Sequence, residues 1–393
     1  MKKSLYILIL YLLCFGYFSN VYTSYYFNRD SNLVFSLLWG IFGWMYFEPS
    51  KIRQKQAVTI VAALMFCFFI SPLIPLAEYN QSYVSTLIAQ RFNYIILILL
   101  VLNRLQPSIE EVFKPMRICA FITLFYYVIS VVSPSFFLTP EVLEEKMLSR
   151  LSTDSTDIGF MVAGTQLTIL YTYYKLALLV GKYTWKDLVE VMLLMAFMIL
   201  IQNRSSLIGI FPLVTFVLYM MFKNKKGTSI MVVLMVMIVS GSFIYGLFQS
   251  LLTETQMQID DDSYDRWLSL KFFGVTMKDS IVKVLFGNGS WAANSAYVRI
   301  ITNMGTHYQI SDVGLVGTYF YYGVIPVIIF YSYALKTMLN RQMPYFLRFY
   351  SLWILIVPTI HTFLLMNVGM NLIYMLYFYL ILHYRKMIKQ GRL

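Results

Sequence analysis

Long apolar blocks recur along nearly the whole chain, and they limit the folds that it can adopt. A helix that crosses the hydrocarbon core of a bilayer needs about 20 mainly apolar residues. The chain is 59% hydrophobic and 13% charged, whereas a soluble domain has roughly 45–50% apolar and about 25% charged residues. The aromatic content of 18% also excludes intrinsic disorder. The sequence therefore predicts an all-α polytopic membrane protein.

The apolar blocks predict about twelve transmembrane helices. Open sheets do not survive in lipid, and the alternating pattern of a transmembrane β-barrel does not occur, so each block is expected to be helical. The predicted spans cover residues 5–23, 33–47, 57–77, 88–102, 118–138, 158–180, 188–201, 207–222, 229–251, 313–335, 349–366 and 372–384.

Lysine and arginine are concentrated in alternate connections, which indicates the orientation of the chain. Cytoplasmic loops of membrane proteins carry an excess of these two residues. Basic clusters such as Lys51–Lys55 and Lys223–Lys226 fall on the same side as both termini, and acidic residues such as Asp260 fall on the other. We therefore predict an N-in, C-in topology. The net charge of +12 reflects this topology and contact with anionic lipid headgroups, so no nucleic acid is expected as a partner.

One connection is much longer than the others and divides the predicted chain into three parts. Residues 1–252 would hold the first nine spans, residues 253–312 an outer loop subdomain, and residues 313–393 the last three spans and a cytoplasmic tail. Connections of this length are usually functional or disordered. This loop has a regular pattern, so we expect it to be folded and to carry the site.

The first half of the outer loop predicts an amphipathic helix that lies in the membrane interface. Its apolar positions recur at helical spacing, and Asp262 or Ser263 would cap its start. The segment Phe286-Gly-Asn-Gly-Ser290 would end it in a sharp turn, and a second helical run is expected over residues 292–304. The apolar positions are Trp267, Leu270, Phe273, Met277, Ile281 and Val284.

Four motifs, in order, resemble one known family. They are an Arg-x-Ser turn at Arg204, an Arg266-Trp267 helix start, Leu285-Phe-Gly-Asn-Gly289, and a span that begins Ser311-Asp-Val-Gly-Leu-Val-Gly-Thr-Tyr-Phe-Tyr-Tyr-Gly-Val-Ile325. This order is similar to the bacterial O-antigen polymerase and O-antigen ligase superfamily, specifically the repeat-unit polymerases of surface polysaccharides. The resemblance covers roughly residues 188–335 at motif level and the whole chain in topology. It implies a membrane fold of the GT-C-like polymerase and ligase type.

The resemblance also implies an activity and its partners. Such a polymerase transfers a glycan from undecaprenyl pyrophosphate to the sugar end of another lipid-linked repeat unit, at the outer face of the bacterial plasma membrane. It needs no cofactor and no obligatory metal. The expected partners are undecaprenyl-pyrophosphate-linked oligosaccharides and the lipid bilayer, with a flippase and a chain-length regulator as further candidates.

Arginines are the first candidates for the site, because the planar guanidinium binds phosphate oxygens in pairs and stays charged. The resemblance assigns Arg204 a contact with the pyrophosphate; the alternative is an arginine that only extends toward the interface. Arg266 and Arg299 are candidates for pyrophosphate or glycan binding, or else solvated charges that pair with Asp262 or Asp265. Arg91 lines the phosphate pocket or pairs with Glu78.

Two further loop residues are candidates with other roles. His307 is the histidine expected on the outer side, and the resemblance suggests a base that activates the acceptor hydroxyl. Tyr308 stands where the ligase branch often has asparagine, which weakens that role. Asp312 is a candidate substrate-binding carboxylate, or else it caps the tenth predicted span.

Two other functions compete with the polymerase. Twelve spans also suit a flippase for the same lipid-linked oligosaccharide, but the sequence shows neither a two-half repeat nor matching Gly/Pro-broken spans, which are typical of such transporters. An O-antigen ligase would move finished glycan to a different acceptor. The sequence does not separate the ligase from the polymerase.

Overall fold

The computed structural model describes residues 1–18, 29–49, 54–133, 163–181, 184–200, 204–223, 265–275, 280–292, 295–299, 310, 313–360 and 367–391. These residues form helices and no β-strand, which confirms the all-α class. His307, Asp312 and the predicted span 229–251 lie outside the described residues. The caps predicted at Asp262 and Ser263 also lie outside them.

The helices begin and end close to the predicted apolar blocks, with several breaks inside them. A 3-10 helix at Arg91–Leu97 directly precedes the sixth α-helix. The α-helices are α1 (Lys3–Cys14), α2 (Arg29–Tyr46), α3 (Lys55–Ile70), α4 (Leu73–Tyr79), α5 (Tyr83–Ala89), α6 (Ile98–Leu105), α7 (Ile109–Val132), α8 (Thr165–Leu178), α9 (Trp185–Leu200), α10 (Arg204–Lys223), α11 (Asp265–Val275), α12 (Ile281–Phe286), α13 (Gly314–Tyr322), α14 (Val324–Leu339), α15 (Tyr345–Ile360) and α16 (Val368–Lys389).

A few of these helices have the length and composition of a membrane span. Within the described residues, Lys55–Tyr79 and Ile109–Val132 qualify individually, and the bent pair Tyr83–Ala89 with Arg91–Leu105 makes a third if it is one span. Shorter apolar helices occur at Lys3–Cys14, Ile210–Met221, Val324–Leu339 and Tyr345–Ile356. The fold is therefore compatible with a membrane protein, and the number of twelve spans stays a prediction.

Three predicted spans are interrupted, contrary to the expectation of continuous helices. The first helix ends at Cys14. Two residues later, Gly16 has a φ of 65°, which is incompatible with a right-handed helix. The span predicted at 88–102 bends by 67° after α5. The span predicted at 313–335 breaks at Gly323, where a φ of 75° separates α13 from α14. Left-handed backbone of this kind is favourable only for glycine, so these two glycines set the breaks locally.

The single amphipathic helix predicted across Trp267–Val284 is also wrong in part. Instead, α11 ends at Val275 and α12 begins at Ile281, with residues 276–279 outside the description. The two helices also differ in the face that they bury: the side chain of Phe273 is fully buried, whereas that of Ile281 is 76% exposed. Ser280 caps α12, because its hydroxyl accepts a hydrogen bond from the Val282 amide at 3.2 Å.

The helices form two compact units, and the first consists of Met1–Val58, Ile95–Ile208 and Asn367–Leu393. Its central helix α16 is buried along most of its length and contacts α1, α6 and α8. A helix that is apolar on all sides is expected to be buried in this way. A capping box begins α7, where Ser108 and Glu111 exchange hydrogen bonds of 2.8 and 3.2 Å.

A network of ion pairs holds α7, α8 and α9 together in this first unit. The buried Glu190 carboxylate accepts hydrogen bonds from Arg117 Nε at 2.8 Å and from the Tyr171 hydroxyl at 2.6 Å. The ammonium of Lys175 lies 3.2 Å from Glu190 and 2.6 Å from Asp187. This ammonium, together with the Thr184 amide, lowers the pKa of the Asp187 carboxyl to about 2. The four charges therefore balance one another inside the unit.

We expect Glu190→Gln to destabilise this unit by about 3 kcal/mol, because the buried Lys175 ammonium would keep only one carboxylate and Arg117 none. Thermal unfolding of the purified protein in detergent measures the effect. Glu110→Gln is the control, because Glu110 is an exposed carboxylate at the start of α7 and should change stability by less than about 1 kcal/mol. Equal melting temperatures of the two variants would contradict a stabilising network.

The second unit consists of Thr59–Tyr94 and Gly209–Met366. In it, α14 contacts α15, and α13 is surrounded by α11, α12, α14 and α15. Residues from the predicted outer loop thus pack against the helix that follows the loop in the chain. The loop motifs and Arg91 belong to this unit, whereas Arg204 belongs to the first.

Candidate functional site

Two of the motifs that the sequence analysis singled out are in direct contact in the second unit. The turn after α12 lies along the end of α13: the Asn288 amide donates to the Phe320 carbonyl at 2.6 Å, and the Gly289 amide donates to the Tyr321 carbonyl at 3.0 Å. The sharp turn predicted at Phe286–Ser290 is confirmed, with φ values of 78° at Gly287 and 69° at Gly289. The predicted outer loop is therefore anchored to the break that precedes Gly323.

Glycine is required on both sides of this contact, because the two backbones touch. A Cβ atom on Gly287 would overlap the backbone of Tyr321, and one on Gly323 would overlap the backbone of Leu285. On the other side of the turn, a Cβ on Gly289 would lie 2.7 Å from Pro75 Cγ and 2.8 Å from the Ser71 carbonyl oxygen. The turn therefore packs between the break that separates α3 from α4 and the break at Gly323.

A buried glutamine joins this turn to the break between α4 and α5. The Gln81 amide nitrogen donates to the Ser290 carbonyl at 2.9 Å and to the Thr86 hydroxyl at 2.6 Å. Its amide oxygen accepts a hydrogen bond of 3.0 Å from the Ala292 backbone. Gln81 is 4% exposed, so these bonds are shielded from water and carry their full strength.

A second buried polar group connects the 3-10 helix to the same turn. The Asn93 amide nitrogen donates to the Tyr322 hydroxyl at 2.6 Å, and that hydroxyl lies 3.2 Å from Ser290 Oγ. Nearby, the Gln90 amide donates to the Phe68 carbonyl at the end of α3. Buried polar side chains therefore bond to the backbone or side chains at these helix breaks, which is how interrupted helices satisfy their polar groups away from water.

An ion pair lies beside this polar cluster. The ammonium of Lys283 on α12 is 2.7 Å from the Glu78 carboxylate on α4. The Lys283 side chain is 7% exposed and that of Glu78 is 38% exposed. Of the two charges, the positive one is therefore enclosed and the negative one faces outward.

Aromatic rings surround the next part of the loop. Tyr79 stacks on the buried Tyr297 with 4.1 Å between ring centroids and 5° between planes. Trp291 is half-buried and meets Tyr321 edge to face at 4.9 Å. Rings in these arrangements add to the energy of simple burial, so Tyr297 is held against α4 and Trp291 against α13.

The candidate residues predicted from the sequence are placed as follows. Arg204 is the first residue of α10, and Arg266 is the second residue of α11; their side chains lie outside the description. Arg299 is exposed. The Arg91 guanidinium donates to the Ile88 carbonyl at 2.9 Å and lies 4.7 Å from the centre of the Phe92 ring. His307 and Asp312 lie outside the described residues.

The spans predicted at 188–201 and 207–222 are helical in α9 and α10, and Arg204 belongs to α10. Residues 201–203 lie outside the described residues, so the turn predicted between the two spans stays a prediction. The Glu78 carboxylate, which the sequence offered as a partner for Arg91, lies 2.7 Å from the Lys283 ammonium. The interpretation of Arg91 as a phosphate-pocket residue stays a prediction.

Sequence reasoning named Glu78 only as a possible partner of Arg91, and it missed Lys283, Gln81 and Asn93. A signal for the last two existed, since polar amides interrupt apolar spans and such residues need partners inside the protein. Nothing in the spacing of Glu78 and Lys283 indicated that they pair, because they lie on opposite sides of the middle of the chain. Only the packing of α12 against the α4 segment brings them together.

Comparison with protein-family models finds no match for the chain, and a search of the curated proteins finds no similar sequence.

Proposed function

We propose that this protein is a polysaccharide repeat-unit polymerase of the bacterial plasma membrane, with twelve spans, both termini in the cytoplasm and its site on the outer side. It would make O-antigen, capsule or exopolysaccharide from lipid-linked repeat units. The hydroxyl oxygen of the acceptor sugar attacks the anomeric carbon of the donor glycan. The bond from that carbon to the pyrophosphate oxygen breaks, undecaprenyl pyrophosphate leaves, and the hydroxyl proton passes to a base or to water.

One observation carries the proposal: the Leu285–Gly289 motif contacts the Tyr321–Gly323 break through backbone hydrogen bonds. These are two of the segments on which the family resemblance rests, and each has the glycine that the contact requires. A motif that served only as a loop end would not need a matching glycine in the helix that follows the loop. The contact therefore supports the view that the loop motif and the following helix form one structural feature, as the family resemblance implies.

The arginines have the roles that such a reaction requires. Charge accumulates on the pyrophosphate as it leaves, and fixed cations lower the energy of that transition state. We assign this role first to Arg204, the arginine of the Arg-x-Ser motif on which the family resemblance rests. Arg266 is a second catalytic candidate, and Arg299 and Arg91 are candidates for binding the substrate.

Two loop residues complete the proposed site. His307 is the candidate base for the acceptor hydroxyl, and Asp312 is the candidate carboxylate for binding the sugar. The role of His307 rests on the resemblance. The proposed reaction uses neither a cofactor nor a metal, because arginine takes up the charge of the leaving group.

A flippase for the same lipid-linked oligosaccharide is the second candidate, and one observation favours it. Transporters often bind their substrates at broken helices, and helix breaks occur here at the 67° bend between α5 and the 3-10 helix and at Gly323. The ligase is the third candidate. All three act on a lipid-linked glycan, so one experiment separates them.

We expect deletion of the gene to abolish long polymer and to leave a single repeat unit on undecaprenyl pyrophosphate at the outer face of the membrane. A gel of lipid-linked glycans measures chain length, and the access of an impermeant glycan-modifying enzyme to spheroplasts determines the membrane face. Complementation by the wild-type gene is the control.

The other outcomes identify the competing functions. A single unit that stays on the inner face would indicate a flippase. Long polymer that accumulates on its carrier would indicate a ligase. An unchanged glycan profile would contradict all three.

A further inference from the structure

The short helix α12 has the reverse of the polarity expected for a helix in contact with water. Its apolar side chains point outward: Ile281 is 76%, Val282 43% and Leu285 37% exposed. Its one charged side chain, Lys283, is 7% exposed. In water the lysine would be outside and the aliphatic residues inside. An outward apolar face of this kind is stable when it lies in hydrocarbon or at the membrane interface.

The apolar surface continues onto the helix that carries Glu78. Leu73 and Leu76 on α4 are 46% and 45% exposed. The Lys283–Glu78 ion pair therefore joins two short helices that both present aliphatic side chains to the surroundings. A ligand that binds here would combine an apolar chain, which lies along these residues, with a charged group that reaches the ion pair.

Lys283 and Glu78 differ in how much free energy it costs to move each side chain out of the ion pair. Moving the enclosed Lys283 ammonium away from its counter-charge is costly, because a buried charge without a partner is strongly destabilising. Glu78 is more than one-third exposed, so its carboxylate regains water easily when it turns outward. Glu78 is thus the partner that another anion can replace.

The position of Lys283 is fixed by the surrounding backbone. The turn that follows α12 is wedged against Ser71 and Pro75 on one side and against Tyr321 on the other. Gln81 adds a hydrogen bond from the α4–α5 connection to Ser290. Lys283 therefore remains in place when Glu78 moves away, and the enclosed ammonium is then available to a new anion.

We propose that Lys283 binds the phosphate group of a membrane lipid, and that Glu78 occupies the place of this phosphate until the lipid displaces it. A lipid diphosphate carries more negative charge than a carboxylate, so the exchange strengthens the interaction with the ammonium. The identification of the lipid as undecaprenyl pyrophosphate rests on the proposed function. When no lipid is bound, the Glu78 carboxylate neutralises the charge of the Lys283 ammonium.

The test measures lipid binding by the purified full-length protein in phosphatidylcholine nanodiscs. Undecaprenyl pyrophosphate is titrated, and the change in intrinsic tryptophan fluorescence and the shift in melting temperature report binding. We expect Glu78→Gln to lower the Kd by about tenfold or more, because it removes the competitor, where tenfold corresponds to about 1.4 kcal/mol. Lys283→Gln should raise the Kd at least about tenfold.

A matched control and a double variant keep the test decisive. Lys271→Gln removes an exposed cation from the neighbouring helix α11 and should leave the Kd unchanged. If either single variant fails to fold, Glu78→Gln combined with Lys283→Gln replaces the ion pair by two neutral amides, which restores charge balance. This double variant should fold and bind as weakly as Lys283→Gln.

Four results would overturn the proposal. They are an equal or higher Kd in Glu78→Gln, a wild-type Kd in Lys283→Gln, a wild-type Kd in the double variant, and binding of inorganic pyrophosphate as tight as that of the lipid. This measurement needs no polymerisation. If the gene deletion does not accumulate a single repeat unit, the polymerase function is contradicted but the lipid-phosphate site is not. If the lipid-binding test fails, the lipid-phosphate site is contradicted but the polymerase function is not.

Discussion

Replacement of Gly287 by alanine is expected to detach the loop segment 285–290 from the end of α13 and to abolish function. The new methyl group would overlap the backbone of Tyr321, which cannot move without breaking α13. Gly287 also has a φ of 78° and a ψ of −178°, a conformation that is nearly restricted to glycine and costs alanine about 1–3 kcal/mol. Together with about 1–3 kcal/mol for overpacking, the expected loss of stability is about 2–6 kcal/mol.

The measurement is thermal unfolding in detergent, together with limited proteolysis of the loop. Gly274→Ala is the control, because Gly274 lies within α11 and has open space where its Cβ would be. There alanine should be neutral or should stabilise by up to about 1 kcal/mol. Similar melting temperatures and cleavage patterns for the two variants would show that the contact does not hold the loop.

Gly323→Ala is expected to give the same defect from the opposite side of the contact, since its Cβ would overlap the backbone of Leu285. The two single variants should therefore lose the same interaction, and the double variant should be less destabilised than the sum of the two. Additive effects would indicate that the two glycines act independently.

The second large effect is expected for Arg204→Ala, which should reduce polymer formation about a hundredfold or more while protein level and melting temperature stay unchanged. Removal of a fixed group that stabilises developing charge costs about 10²–10³ in rate. Arg204→Lys should not restore activity, because an ammonium cannot bind two phosphate oxygens with the geometry of a guanidinium.

The measurement is the glycan profile of a deletion strain that carries each variant at equal expression. Arg341→Ala is the control, since Arg341 is exposed and is predicted to lie in a cytoplasmic connection. Wild-type polymer from the Arg204→Ala strain would remove Arg204 from the proposed site. Wild-type polymer from Arg204→Lys would show that only the charge matters.

The two sets of variants address different parts of the proposed enzyme. Gly287→Ala is expected to lose polymer with a lowered melting temperature, because it disrupts the contact between the loop and α13. Arg204→Ala is expected to lose polymer at an unchanged melting temperature, because it removes a charge that stabilises the leaving pyrophosphate. A lowered melting temperature in Arg204→Ala would make the arginine a structural residue.

The sequence by itself determined where most helices lie and where one decisive turn occurs. Apolar runs predict helices because a buried or lipid-exposed backbone must satisfy its hydrogen bonds within the segment. The spans predicted at 118–138 and 372–384 accordingly correspond to the helices α7 and α16. The turn at Gly287–Gly289 also follows from local residues, since glycine permits positive φ.

Only the tertiary structure decided which of these segments meet. The break at Gly323 is needed because the backbone of Leu285 approaches there, and the sequence around Gly323 contains no record of that approach. In the same way, Lys283 has the character of an ordinary interfacial lysine until α12 packs near Glu78. Side-chain burial and ion pairing depend on residues far apart in the chain, whereas apolar periodicity and glycine turns act over a few residues. The sequence therefore predicted the helices and a turn, and the packing of the second unit decided that this turn meets α13 and that Lys283 pairs with Glu78.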